Sequence, residues 1–446
     1  MNLKNKKVLV MGLGLHGGGV GVTKYLVKKG AKVTVTDLKS RQELSSSLEK
    51  LSKLPIKYIL GEHRLIDFKN CDLIIKNPGV PNDSQFLAVA KANNIPILMD
   101  INLFWRACPS QKIIGITGTK GKTTTAHLVK KILDQAGLKS VLAGNLGISF
   151  LTVLPKIDPK TWVVLELSSW QLEGLKKESS SPAIALITNI FPDHLNRYQN
   201  MADYLSAKKI IFAHQKKTDC LLLNKKNSWS SKIAKEAPGK VIFFSRKDLN
   251  KNWRKKIKLP GKHNLDNVAA AAKIADLLKI KKDLVIEATS NFGGLPHRLE
   301  FVNTISGVDF YNDSAATNPT AAEAAITTFN RPLIWILGGA DKKLQFNKLL
   351  KAAKKTPHLK GLVFLEGKAT TKIIKETKKN LSEVPFFGPF NKMSLAVKTA
   401  YQLAKTGDII LLSPATASFG LFKNEFDRGR QFKKTVNALA KKTQKS

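Results

Sequence analysis

Short runs of aliphatic and β-branched residues alternate, from one end of the chain to the other, with longer stretches whose apolar positions recur every three or four residues. A strand–helix–strand rhythm of that kind predicts α/β architecture with parallel sheets. The runs predicted as strands are Lys7–Met11, Lys32–Thr36, Ile113–Thr117, Trp162–Leu167, Ala183–Thr188 and Cys220–Leu223, then Val308–Tyr311, Leu333–Leu337, Leu362–Leu365 and Asp408–Leu412. After Ile113–Thr117, residues Ala126, Val129, Leu133 and Ala136 fall on one helical face, and Gly137 is the expected stop. Turn-prone breaks at Cys108-Pro109-Ser110 and Gly293-Gly294-Leu295-Pro296 suggest three domains, 1–108, 109–296 and 297–446, consistent with a length of 446 residues. No internal repeat is visible, and the tail Ala440–Ser446 is expected to fray.

Composition narrows the class. With 43% hydrophobic and 24% charged residues the chain can bury real cores, and no apolar run approaches a membrane span. The apolar stretch Val8–Met11 dissolves into glycines with no cleavage site, so export is not expected. Three widely spaced cysteines exclude a disulfide framework and a cysteine-based zinc site, and fit a reducing cytoplasm. The formal charge of +41 favours anionic ligands, but only ten of the 74 basic residues are arginine. Base readout prefers arginine, and the lysines are spread along the whole chain, so a solvated coat is favoured over a dedicated nucleic-acid surface.

Three segments are suited to phosphate chemistry. Gly12-Leu-Gly14-Leu-His-Gly17 follows the first strand, and Asp37 closes the next one. It fits a helix–strand packing turn and a cradle for a nucleotide diphosphate equally well. Gly118-Thr119-Lys120-Gly121-Lys122-Thr123-Thr124 lies between a strand and a helix. It departs from the usual Walker spacing, which would place a glycine where Ile116 stands. Its chemistry is retained: backbone N–H groups can cradle β- and γ-phosphates, Lys122 can neutralise them, and the Thr123 hydroxyl can ligate Mg²⁺. Glu166, at the end of an apolar strand, is placed either to hold Mg²⁺ or to cap a strand end.

In this order the pieces resemble the Mur ligases, the ATP-dependent amide ligases of bacterial cell-wall precursor synthesis. The resemblance rests on Gly118–Thr124, Glu166-Leu-Ser-Ser-Trp-Gln-Leu172, Pro296-His-Arg-Leu-Glu300, Asn312-Asp-Ser-Ala-Ala-Thr-Asn318 and Leu412-Ser-Pro-Ala-Thr-Ala-Ser418, and it covers essentially the whole chain. It implies a Rossmann-like N-terminal domain for UDP, a central P-loop domain for ATP and a Rossmann-like C-terminal domain for the amino acid. Leu15, His16, Asp37 and Asn145 would meet the UDP-sugar. Gly118, Thr119, Lys120, Gly121, Lys122, Thr123 and Thr124 would bind ATP, with Asn264 and Asn267 reading adenine and Arg298 and Asp313 at its phosphate and ribose ends. Thr123, Glu166, His194 and an N-carboxylated Lys208 would hold two Mg²⁺ ions, with Lys122, His194 and Lys208 as the catalytic set. Thr317, Lys342 and Ser418 would take the amino acid's carboxylates.

The implied reaction joins D-glutamate to UDP-N-acetylmuramoyl-L-alanine through an acyl phosphate, in a cytoplasmic monomer with no membrane or specific nucleic-acid partner. Two departures bear on the amino acid: Ala315 stands where the family usually has lysine, and Glu425 takes an aromatic's place, with Phe426 one residue late. The rivals are another ligase of the superfamily, using L-glutamate or of folylpolyglutamate type, and a basic nucleic-acid-binding P-loop ATPase.

Overall fold

The computed structural model describes every residue except 16, 145–148, 194–196, 342–343 and 444–446. Its strands form three sheets. The first contains β1 (Lys7–Met11), β2 (Lys32–Asp37), β3 (Ile56–Leu60), β4 (Leu73–Lys76) and β5 (Ile97–Leu98), in the order β3-β2-β1-β4-β5. The second contains β6 (Ile113–Thr117), β7 (Ser140–Gly144), β8 (Trp162–Glu166), β9 (Ile184–Ile187), β10 (Cys220–Asn224) and β11 (Lys240–Phe244), ordered β11-β10-β9-β6-β8-β7. The third contains β12 (Glu300–Ile305), β13 (Val308–Asn312), β14 (Leu333–Leu337), β15 (Leu359–Leu365), β16 (Phe386–Phe390) and β17 (Ile409–Leu412), ordered β12-β13-β17-β14-β15-β16. The chain divides into two compact units. Met1–Lys256 with Leu265–Thr289 carries the first two sheets, and Ile257–Asn264 with Ser290–Ser446 carries the third.

Pairing in the first two sheets is parallel throughout, as the alternating pattern predicts. The third departs from that expectation. Its edge strand β12 runs antiparallel to β13, with a register shift between Phe301 and Asn303. The two strands are separated only by Ser306 and Gly307, both at positive φ, a connection too short for a parallel crossover. The second correction concerns the C-terminus: the last helix runs Glu425–Thr443, so Ala440–Thr443 are helical rather than frayed. Phe432 and Val436, both fully buried, anchor that helix on the third sheet.

Strands β6, β8 and β9 are buried at almost every position because helices cover both faces of a parallel sheet. Each enclosed Ile, Val or Leu contributes about 1.5–3 kcal/mol of transfer free energy. The helix after β6 runs Lys122–Gln135, with Ala126, Val129 and Leu133 inside, and Gly137 follows its end at φ +69. Among the described residues no helix is long and apolar enough to cross a membrane.

One buried charge in the first unit has a consequence for stability. Asp100 opens the helix Asp100–Ala107, and burial pushes its carboxyl up to about 6, despite a 2.8 Å hydrogen bond from the Ile101 N–H. The folded state therefore holds this proton more tightly than the unfolded chain, so its contribution to stability falls as pH rises from about 4 through 6. Asp100→Asn is expected to melt a few degrees above the unmodified protein at pH 8, with the gap closing toward pH 4 in thermal scans.

Candidate functional site

Strand β6 lies inside its sheet and delivers Gly118–Thr124 at its carboxyl end, where open α/β sheets bind ligands. Two glycines are required by the loop's path. At Gly118, φ is +138 and a Cβ would stand 2.0 Å from Thr188 Oγ1; at Gly121, φ is +84 and a Cβ would stand 2.4 Å from Asn267 Oδ1. Gly121 caps the helix that begins at Lys122, whose first turn carries no acid, so its N–H groups face the loop as a ready anion site. The Lys122 amine folds over the loop and donates to the carbonyls of Gly118 (2.9 Å) and Thr119 (3.1 Å).

The loop is braced from the end of β9. Asn189 accepts the Thr119 N–H at its backbone oxygen (2.8 Å) and the Lys120 N–H at Oδ1 (2.9 Å), and its Nδ2 donates to the Lys120 carbonyl (3.0 Å). Thr188 Oγ1 donates to the same carbonyl at 2.6 Å. The Thr119 hydroxyl meets Tyr204 Oη at 3.1 Å and accepts the Phe191 N–H at 3.0 Å. Lys120 reaches outward to Asp193, 3.4 Å away. A loop held by this many bonds keeps its shape before any phosphate arrives.

Three of the four metal candidates are described, and two of them, Glu166 and Lys208, lie beside the loop. Glu166 ends β8, 1% exposed, in register with Ile116 of β6, and the next residue, Leu167, accepts the Thr117 hydroxyl through its carbonyl at 2.7 Å. Lys208, on the helix Met201–Lys209, is also 1% exposed; its amine donates to Thr117 Oγ1 at 3.3 Å and lies 4.9 Å from the Tyr204 ring. Burial holds this amine well below the usual lysine range, the nearby Lys122 charge lowers it further, and Asp193 opposes both. Thr123 is half-buried in the first helical turn. His194 lies outside the described residues, and among the described residues no three His, Cys, Asp or Glu side chains gather as a metal cluster.

In the first sheet, Asp37 does something more specific than the sequence suggests. Its Oδ2 accepts the N–H groups of Leu13 (2.8 Å) and Gly14 (3.0 Å), and its Oδ1 accepts that of Lys39 (2.9 Å). The acid therefore shapes the glycine loop from beneath. Leu15 is 45% exposed at the loop's surface; His16 and Asn145 lie outside the described residues.

In the second unit, Asp313 follows β13 and is buried. Its carboxylate accepts from Ser413 Oγ (2.8 Å) and the Leu299 N–H (3.2 Å), and burial still lifts it to about 7. Arg298 is exposed, Thr317 half-buried, and the Ser418 hydroxyl is buried with no hydrogen-bond partner among the described residues. Lys342 lies outside the described residues. Asn264 is buried and donates to the Pro260 carbonyl at 2.7 Å, while Asn267 belongs to the first unit, against Gly121. Phe426 packs edge-on against His297, ring centroids 5.6 Å apart, and Glu425 accepts the Ser314 hydroxyl through its backbone carbonyl at 2.7 Å.

Sequence reading missed three residues that organise these loops: Asn189, Tyr204 and Arg428. Arg428 is fully buried, and its guanidinium bonds Ser314 Oγ (3.0 Å), the Ser314 carbonyl (3.0 Å) and the carbonyls of Thr416 (3.2 Å) and Ala417 (3.3 Å). Burial lowers it to about 10, so it remains charged at neutral pH. It ties the segment bearing Thr317 to the one bearing Ser418. The scarcity of arginine in a lysine-rich chain was the available signal.

Comparison with known proteins bears on all three sheets. Family models described as "Mur ligase MurD-like, N-terminal domain", "Mur ligase middle domain" and "Mur ligase, glutamate ligase domain" match residues 6–99, 116–259 and 297–416. UDP-N-acetylmuramoylalanine–D-glutamate ligase of Roseiflexus sp. (strain RS-1) is 42% identical over 98% of this chain and 100% of its own. The protein of that name from Acetivibrio thermocellus is 37% identical, over 98% of this chain and 97% of its own. Among solved structures, UDP-N-acetylmuramate-alanine ligase MurC of Thermotoga maritima superposes with a TM-score of 0.60 at 21% identity, over 98% of this chain and 100% of that one, a likeness of fold.

Proposed function

The chain belongs to the Mur ligase family, among its UDP-N-acetylmuramoylalanine–D-glutamate ligases, and from that premise we propose how its residues carry out an ATP-dependent amide synthesis in the cytoplasm. The reaction joins D-glutamate to UDP-N-acetylmuramoyl-L-alanine in peptidoglycan precursor synthesis. The alanyl carboxylate oxygen attacks the γ-phosphorus of ATP, the bond to the β-phosphate oxygen breaks, and ADP leaves. The glutamate amine then attacks the acyl carbon, and phosphate departs with loss of one proton from nitrogen. Both steps bring anions together or build up negative charge, so cations positioned in advance supply much of the catalysis.

The N–H groups of the Gly118–Lys122 loop and the Lys122 amine are assigned to the β- and γ-phosphates. Thr123, Glu166, His194 and Lys208 would hold the magnesium ions, which when bound neutralise phosphate charge. The described donors suit that role: Glu166 offers a buried carboxylate, and a neutral Lys208 amine can add carbon dioxide, losing one proton to become an anionic carbamate. The observation that carries this reading is the placing of Lys208, fully buried, beside a phosphate loop that already has its own lysine. Two cations packed together there are poorly placed; one cation and one anion are not.

Leu15, His16, Asp37 and Asn145 are assigned to the UDP-sugar, with Asp37 also holding the glycine loop at Leu13 and Gly14. From the second unit, Asn264, Arg298 and Asp313 are assigned to ATP, as is Asn267 of the first. Thr317, Lys342 and Ser418 are assigned to glutamate. The domains read as 1–108, 109–296 and 297–446, the enzyme as a monomer, and the lysine coat as solvated surface without a nucleic-acid role. Phosphate release with UDP-N-acetylmuramoyl-L-alanine should require an amino acid and, across a panel, should select D-glutamate over L-glutamate. Phosphate release without an amino acid, or release driven by oligonucleotides, would overturn the assignment.

A further inference from the structure

Within the first unit, one carboxylate gathers donors from two separate segments. Glu173, on the helix Ser169–Leu175, accepts Asn82 Nδ2 (2.9 Å) and Arg197 Nη2 (3.2 Å) at Oε2, and the Tyr198 hydroxyl (2.7 Å) at Oε1. Arg197 also donates from Nη1 to the Pro78 carbonyl at 3.0 Å, and its guanidinium lies 4.5 Å from the Trp170 ring. The Arg197 and Glu173 side chains are each only 16% exposed, so water screens the pair weakly. A planar fork offers a separate nitrogen to each of two acceptors while its face lies against a ring; an ammonium must serve both from a single nitrogen.

The two ends of this fork lead to different loops. Pro78 belongs to the turn after β4, where Asn77 donates its N–H to the Met11 carbonyl (2.8 Å) and its Nδ2 to that of Gly12 (3.4 Å). That turn therefore leans on the glycine loop. Glu173 lies one helix beyond Glu166, and Ser168, which caps that helix, is joined to Glu166 through Leu167, whose N–H bonds the Ile116 carbonyl at 2.9 Å. Burial, reinforced by the Arg197 charge, lowers the neighbouring Lys76 amine to about 8, which marks the cluster as poorly solvated.

We propose that Arg197 is a positioning residue: by clamping the Pro78 carbonyl to Glu173, it fixes the glycine loop of the first sheet against the phosphate loop of the second. It thereby sets where the sugar nucleotide's carboxylate stands before the γ-phosphate. The inference rests on the ligase reading above and adds to it a residue that acts through two loops. Its signature is selective, because the clamp holds the sugar-nucleotide side and leaves the ATP loop's own bracing at Asn189 intact.

The test compares steady-state kinetics and melting of the full chain with those of Arg197→Ala, Arg197→Lys and Glu173→Gln. Arg197→Ala is expected to raise KM for UDP-N-acetylmuramoyl-L-alanine at least tenfold and lower kcat, with KM for ATP within twofold. Arg197→Lys should fall nearly as far, since it keeps the charge but replaces two donor nitrogens by one, and calorimetric titration with UDP alone should weaken in parallel. An unchanged KM for the sugar nucleotide, or equal rises in both KM values with a lowered melting temperature, overturns the proposal. Should Arg197→Ala not fold, Arg197→Lys reads the same split. A wild-type chain that turns over this substrate normally beside an unaffected variant sinks only the positioning role; a wild-type chain inert toward it sinks the ligase reading and the inference together.

Discussion

Lys122→Ala is expected to lower kcat/KM for ATP by about a thousandfold, equivalent to about 4 kcal/mol of lost transition-state stabilisation. The amine lies over the loop, held by the Gly118 and Thr119 carbonyls, on the residue that opens the helix whose N-terminus forms the cradle. Two other described lysines nearby are engaged elsewhere: Lys120 is turned outward to Asp193, and Lys208 is buried against Thr117. Because the loop is braced independently by Thr188 and Asn189, the variant should fold and melt close to the parent. Phosphate-release kinetics with a thermal scan on the same sample test this; activity within tenfold of the parent would remove Lys122 from the phosphate site.

Lys208→Ala should be nearly as damaging, by two to four orders of magnitude, and its signature is chemical rescue. If the side chain acts as a carbamate, a small carboxylate such as formate or acetate can enter the space left by the deleted stem and restore part of the lost rate. The same acids should do nothing for Lys122→Ala. Lys208→Met keeps the volume, removes a buried amine and gives an acid no room, so it should melt no lower than the parent and remain inactive without rescue. Substantial activity of Lys208→Ala without added acid would dismiss the carbamate.

The extent to which the fold was legible follows burial. All six edge strands, β3, β5, β7, β11, β12 and β16, escaped the sequence reading, whereas among the described interior strands only β4 did. An interior strand of a parallel sheet is apolar on both faces and stands out as a continuous run. Edge strands such as Ile56–Leu60 and Phe386–Phe390 are half-exposed, and the latter contains glycine and proline, so their pattern merges with loops. β4 failed for another reason: it is four residues long and ends in Lys76, a buried lysine that breaks the apolar run.

The site shows the same division. Gly118, Gly121 and Lys122 were legible because backbone chemistry fixes their spacing within one strand–loop–helix unit, and Glu166 because it is an acid closing an apolar strand. Asn189 and Arg428 were not, since what they hold is distant in sequence and visible only after folding. Asp37 was found for its position, and folding adds what the sequence leaves out: its carboxylate accepts the N–H groups of Leu13, Gly14 and Lys39, and an acid beneath a glycine loop and one facing a sugar leave the same trace in sequence.

Arg428 joins the last helix to two loops, and its four hydrogen bonds go to Ser314 and to the carbonyls of Thr416 and Ala417, with no carboxylate among them. The fork cannot let go of one loop while keeping the other satisfied, so these segments should open as a single cooperative block. A truncation that strips the terminal helix from the sheet would then do more than shorten the protein: at the place assigned to the incoming amino acid it would take away the donor shared by three backbone oxygens, of which that of Ala417 keeps the Ala340 N–H while those of Ser314 and Thr416 lose their bond.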